Sequence, residues 1–224
     1  MKFEIKVADD SHIKYADAIC KLMEEAAKAR GTGIAKRSPE YIKEKMYEGK
    51  AVIALENHSL AGFCYIETWN HGKYVANSGL IVSPQYRNQG LAKLIKAKAF
   101  DLSRKKYPDT KLFGITTSLA VMKINSDLGY RPVTFSELTD DEKFWNGCQS
   151  CPNFDILNRT NRKNCLCTGM LYDPEEEKKQ KVKNNNKNRL KIVERLLRLK
   201  KFIFFKGNSV TKKEKEKEKD KVFA

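Results

Sequence analysis

Apolar and polar residues alternate over residues 2–7. The chain then shifts to helical spacing, with Ile13, Ala16, Ile19, Cys20, Met23 and Ala27 on one face of a segment that runs to residue 29. Ser38-Pro39-Glu40 opens a second, shorter helix to Tyr47, with Ser38 as its cap and Pro39 at the first helical position. Apolar runs at 51–55 and 61–69 flank a turn over 56–60, and residues 75–82 form a third strand, so a meander follows the two helices. Helical spacing returns over 91–105 and stops at Tyr107-Pro108. A strand over 111–116 and a helix over 119–128 follow, with Gly129 as a left-handed cap and 130–135 extended beyond it. This order predicts an α/β fold, a mixed central sheet flanked by helices, with ligand outside the carboxyl ends of the strands.

Composition places a boundary after this pattern. Of the formal charge of +16, the residues after Pro174 contribute +10 (18 Lys+Arg against 8 Asp+Glu), so residues 1–173 read as one mildly basic domain and 174–224 as a basic tail. Within the tail, residues 189–205 set Leu190, Val193, Leu196, Leu197 and Leu199 among Lys and Arg as an amphipathic helix. Such a helix suits an anionic membrane, another helix or non-specific contact with nucleic acid, and a tail without a partner is the plainer alternative. No apolar stretch approaches the roughly 18 residues of a membrane span and no signal-peptide pattern opens the chain, so the expectation is a cytoplasmic protein.

The chemistry concentrates where the third strand meets the following helix. Residues 80–92, LIVSPQYRNQGLA, run from strand through Ser83-Pro84 into Arg87, Asn88, Gln89, Gly90, Leu91 and Ala92. Free amides at a helix start, with the macrodipole behind them, favour a polyphosphate, and Gly90 and Ala92 keep side chains out of its way. A dinucleotide fingerprint would need three glycines and here there is one. The spacing Arg-x-x-Gly-x-Ala after Val-x-Pro, the order of elements and the closing Leu128-Gly129-Tyr130 together resemble the GNAT N-acyltransferases over residues 3–135.

That resemblance implies an acyl-coenzyme A donor, acetyl- or succinyl-coenzyme A. The amides of Leu80 and Val82 would serve the thioester, and those of Arg87 to Ala92 the pyrophosphate. It also implies a strand splayed at a bulge, for which Gly79 is suited, close packing being the other reason for a glycine there. Family members often carry a tyrosine acid four residues before the closing glycine and an asparagine seven residues earlier; here Asn125 and Ser118 stand at those positions. Asn125 can hydrogen-bond the cofactor but cannot donate an acid proton. Glu67 and, through water, His71 are the candidate bases, Glu67 on the expectation of an apolar setting beside Tyr65 and Trp69; a solvated carboxylate at a strand end is the alternative. In this family the segment between the first two helices sets acceptor specificity, and here it carries Arg30, Lys36 and Arg37, which suit a carboxylate or form a solvated basic loop. The wording GFCYIE, ANSGLIV, GLAKLIKAK, LAVMKIN and NCLCTGMLYDP is further similar to bacterial N-acylglutamate synthases of arginine biosynthesis.

Cys148-x-x-Cys151 and Cys165-x-Cys167 form a four-thiol set over 148–167 that admits structural zinc, buried thiols or a redox pair. The leading expectation is thus an N-acyltransferase for a small amine, with a homodimer admissible. The alternatives are acetylation of another small amine or a protein terminus, and a non-catalytic acyl-coenzyme A-binding module whose tail contacts membrane or nucleic acid.

Overall fold

The computed structural model describes residues 2–31 and 35–179, together with 191, 192 and 194. The chain divides into two units, Met1–Pro174 and Glu175–Ala224. In the second unit, 175–179, 191, 192 and 194 are helical, and the rest of the expected helix over 189–205 lies outside the described residues. No helix among the described residues is long and apolar enough to cross a membrane.

In the first unit the elements follow as β1 (Glu4–Val7), α1 (Ala16–Arg30), α2 (Pro39–Tyr47), β2 (Ala51–Glu56), β3 (Ser59–Trp69) and β4 (Tyr74–Val82), then α3 (Leu91–Lys106), β5 (Lys111–Thr116), α4 (Leu119–Asp127), β6 (Arg131–Val133), α5 (Glu142–Asn146), α6 (Phe154–Arg159) and β7 (Thr168–Tyr172). One seven-stranded sheet has the order β1-β2-β3-β4-β5-β7-β6. Its pairs are antiparallel except β4 with β5. The α/β reading with a mixed sheet therefore holds, and β7, last in sequence, slots between β5 and β6. β2 is buried from Ala51 to Leu55, because both faces of the sheet are covered. Cys64, Ile66 and Val75 pack under Leu91, Ile95 and Ala99 of α3 on one face. On the other, Ile53, Phe63 and Tyr65 meet Ile19 and Met23 of α1 and Ile42 and Met46 of α2. Residues between β6 and β7 supply a third cluster, in which Phe135, Leu138, Trp145 and Leu157 cover Ala76, Phe113 and Leu171.

The feature that makes a site is a split in the sheet. β4 and β5 pair only at Tyr74–Lys111, Val75–Leu112 and Ala76–Phe113. Beyond that point β4 continues along β3 alone and β5 along β7 alone, so the two strands diverge into a V. A bulge supplies the bend: the β3–β4 register shifts between Phe63 and Tyr65, and opposite it Gly79 has φ +65°. Both readings of this glycine apply, since a Cβ placed there would come within 2.5 Å of Tyr65 Cε1 and 2.8 Å of Met23 Cε. Gly79→Ala is expected to lose about 3 kcal/mol, combining left-handed strain with overpacking, and so to lower the melting temperature by roughly 6–12 °C. Thermal unfolding checks this, and an unmoved melting temperature would refute the bulge as the cause of the bend.

Candidate active site

The turn expected to cradle phosphate leaves its amides open. Ser83-Pro84 turns the chain out of β4 through a short 3-10 segment, Pro84–Tyr86, and Asn88 and Gly90 take left-handed conformations at φ 60° and 75°. Gly90 caps α3 with no side-chain bond. The amides of Asn88 to Ala92 find no acceptor among the described residues, so they stand open at the positive end of a 16-residue helix. Arg87 folds back so that its Nε donates to the Val82 carbonyl at 3.2 Å. Ser83 N–H donates to the Ala61 carbonyl at 3.0 Å. Alternate residues of an antiparallel strand face opposite edges, so the Val82 amide points toward the side that β5 has left. Cradle and free strand edge thus adjoin.

Over the V lies a cavity of about 530 Å³. Its walls come from the end of α1 and the start of α2, from β4 and β5, from α4, and from the insertion between β6 and β7. Arg30, Lys36 and Arg37 all line it, and Lys96 and Lys143 add two further cations, whereas among the described residues no Asp or Glu lines it. Arg37 Nε donates to Tyr65 Oη at 2.8 Å, and its guanidinium lies 5.3 Å from the Tyr41 ring centroid. Burial opposes the Arg37 charge, but Tyr65, Tyr41 and Glu67 outweigh it and hold the pKa above its ordinary value. Burial, and then the charge of Arg87, lowers the pKa of Arg30. An anion between these groups would offset the cost of burying both guanidinium charges.

The remaining candidates divide. Leu80 and Asn125 line the cavity, and Asn125 is buried with no partner for its Oδ1 among the described residues. Ser118 instead caps α4, accepting from Val121 N–H at 3.4 Å, and does not line the cavity. Glu67 is not a lone carboxylate in an apolar setting: it accepts from Tyr41 Oη at 2.6 Å and pairs with Lys45 Nζ at 2.8 Å. With Tyr41 lining the cavity and Glu67 behind it, that carboxylate is already engaged. Burial, followed by Tyr65 and Glu67, pushes the Tyr41 phenol well above its ordinary pKa. His71 is exposed in the β3–β4 turn, away from the cavity. Neither expected base therefore faces the acceptor space.

Lys96 was not among the expected site residues. It is 2% exposed, and burial, against a small opposing effect of Cys64, lowers its pKa to about 8. The signal was present, since Lys96 sits on the apolar stripe of Ala92, Ile95, Ala99 and Leu102 at helical spacing. A lysine with a lowered native pKa binds its proton less well than in the unfolded chain, so wild-type stability rises as pH climbs from about 8 toward 10.5. Lys96→Met is accordingly expected to stabilise the protein at pH 7 by about 3 kcal/mol, the gap closing above the unfolded-state pKa. Denaturant melts at pH 7 and pH 11 measure it, and equal differences at both would contradict the burial cost.

The four cysteines converge on the far wall of the cavity. Burial raises the Cys148 thiol to about 11, with Cys151 and Cys165 adding to it; burial and then Cys165, Cys151 and Cys148 raise Cys167 to about 12. Four soft donors suit zinc by type. Their placement does not, because among the described residues no three metal-ligating groups are arranged to hold an ion. All four are free, half-buried cysteines, and Cys148, Cys165 and Cys167 pack against the third core cluster.

The profile described as Acetyltransferase (GNAT) family matches residues 17–118, a stretch that takes in the cradle and leaves out the cysteine-bearing insertion. No curated protein sequence matches the chain. Three solved structures share the fold. N-acetylglutamate synthase from Neisseria gonorrhoeae, complexed with coenzyme A and N-acetyl-glutamate, has a TM-score of 0.54 at 19% identity over 76% of this chain and 35% of that one. Rv2747 from Mycobacterium tuberculosis, in complex with CoA and NLQ, has 0.55 at 14% over 76% and 98%. The protein yncA from Salmonella typhimurium, with its cofactor acetyl-CoA, has 0.53 at 14% over 78% and 95%. At such identities the likeness is one of fold, and this chain spans about a third of the gonococcal synthase.

Fold and split sheet are similar to those of coenzyme A-binding acetyltransferases. Residues 17–118 match the GNAT acetyltransferase domain, and the first unit shares the fold of the solved structures above.

Proposed function

We propose that the chain transfers an acetyl group from acetyl-coenzyme A to the amine of a small carboxylate-bearing acceptor, with glutamate, as in arginine biosynthesis, the first candidate. The observation that carries the acceptor class is the cavity lining of five cations and, among the described residues, no acid. The glutamate candidate draws on the gonococcal synthase, whose structure holds N-acetyl-glutamate. Succinyl-coenzyme A is the alternative donor, and the cytoplasm is the compartment this reading assigns.

In the proposed reaction the open amides of Asn88 to Ala92 take the pyrophosphate, and the free edge of β4 near Leu80 and Val82 takes the acyl arm and its carbonyl. Arg37, fixed by Tyr65 and Tyr41, grips the acceptor carboxylate, with Arg30 and Lys36 beside it. The neutral amine attacks the thioester carbon, a C–N bond forms, the C–S bond breaks and coenzyme A departs. Asn125 and Tyr41 bound the same space.

Thiol release from acetyl-coenzyme A tests this. Turnover is expected with glutamate or another acidic amino acid and not with spermidine, whose charge the five cations repel. Turnover with polyamines alone would reverse the acceptor class. We assign this chemistry to residues 1–173 and treat 174–224 as an accessory basic tail. A chain ending at Pro174 is expected to retain thiol release while losing adhesion to anionic vesicles; loss of turnover in the folded truncation would show that the tail completes the site.

A further inference from the structure

Proton delivery to the departing sulfur has no owner among the residues so far assigned. The position that supplies an acid in related enzymes is Asn125, whose amide has no acidic proton to give. Asn125 nonetheless lines the cavity with its Oδ1 buried and without a partner among the described residues. Lys96 reaches the same cavity from α3, on the side of the sheet where the cradle opens. Its ammonium forms no ion pair or hydrogen bond among the described residues. The titratable groups that face it are Cys64 from β3 and Tyr130, which precedes β6 and whose ring centroid is 5.4 Å from Nζ. Cys64 is itself occupied, its thiol donating to the Ser78 carbonyl at 3.3 Å. A buried ammonium without a counter-ion is costly, and helix α3 could carry an apolar residue there at no loss of packing. The position therefore holds a buried proton donor in the wall of the cavity at a cost to stability.

We propose that Lys96 is the general acid of this enzyme, its ammonium giving a proton to the coenzyme A sulfur as the C–S bond breaks. This rests on the acyltransfer reading above. The electron pair of the broken C–S bond stays on sulfur and takes the proton from Nζ. Lys96 is left as the neutral amine, and the proton lost by the acceptor nitrogen, or one from water, restores it. Burial brings its pKa to about 8, near the roughly 8.5 of an ordinary thiol, so the transfer is close to balanced.

The test is the pH profile of kcat for thiol release from acetyl-coenzyme A with glutamate, or with whichever amino acid of a panel the wild type accepts. Wild type is expected to lose activity above pH about 8 as Lys96 deprotonates. Lys96→Met, which keeps the stem but not the charge, is expected to lower kcat by about 10²- to 10⁴-fold and to abolish that falling limb, with calorimetric affinity for coenzyme A unchanged. Lys96→Arg keeps the charge but cannot release a proton, so it is expected to fold, to bind coenzyme A and to be as slow as the Met variant. Restored activity in Lys96→Arg, or a retained limb and rate in Lys96→Met, would overturn the assignment while leaving acyl transfer intact. Absence of thiol release by the wild type with every amine would remove the acyltransfer reading and the role of Lys96 with it.

Discussion

Gly90→Asp is expected to weaken coenzyme A binding by about 30- to 1,000-fold, a loss of roughly 2–4 kcal/mol that combines repulsion at the helix start with displaced amide contacts. Gly90 sits at φ 75°, where an L residue is strained, yet a Cβ there meets no protein atom within 4 Å. The space it would enter is open, so the main obstacle created is to a ligand and not to the fold. Calorimetry with coenzyme A checks this, paired with a thermal melt to confirm a folded variant. Unchanged affinity would remove the cradle assignment. Arg87→Ala should cost less, because its Nε already bonds the Val82 carbonyl and the backbone amides remain.

Arg37→Ala is expected to lower kcat/KM for an acidic acceptor by about 100-fold through KM, consistent with losing a pair of charge-assisted hydrogen bonds worth roughly 3 kcal/mol. The side chain is preset by Tyr65 and Tyr41, so little order must be gained when an anion arrives. Coenzyme A affinity should not change. Arg37→Lys is expected to fall between, since an ammonium preserves charge but not the planar fork. Steady-state kinetics with acceptor varied decides it. An unaltered KM would place the carboxylate elsewhere in the cavity.

What the sequence discloses here depends on how local the physics is. The open helix start was legible because a strand, a turn, one glycine and a helix start lie within thirteen consecutive residues, and their backbone geometry is local. The meander and α3 were legible for the same reason, their periods being written in short windows. Glu67 was misread because its partner Lys45 lies on α2, 22 positions away, and nothing near Glu67 announces an ion pair. The clue was on the other helix, where Lys45 shares a buried face with Ile42 and Met46. Lys96 likewise declared itself only as a charge on an apolar stripe. β7 was missed because its placement between β5 and β6 is a matter of long-range pairing. Ser118, read as a cofactor contact, caps α4, a role that its place before Leu119 already allowed.

A cationic cavity of this kind should select an anionic amine for acetylation. The most direct test is a competition: purified protein with acetyl-coenzyme A and equimolar glutamate, glutamine, lysine and spermidine, with the products identified by mass. The acetyl group is expected on the α-amine of glutamate, with slight labelling of glutamine and none of spermidine. Preferential acetylation of spermidine or of the lysine side chain would contradict it.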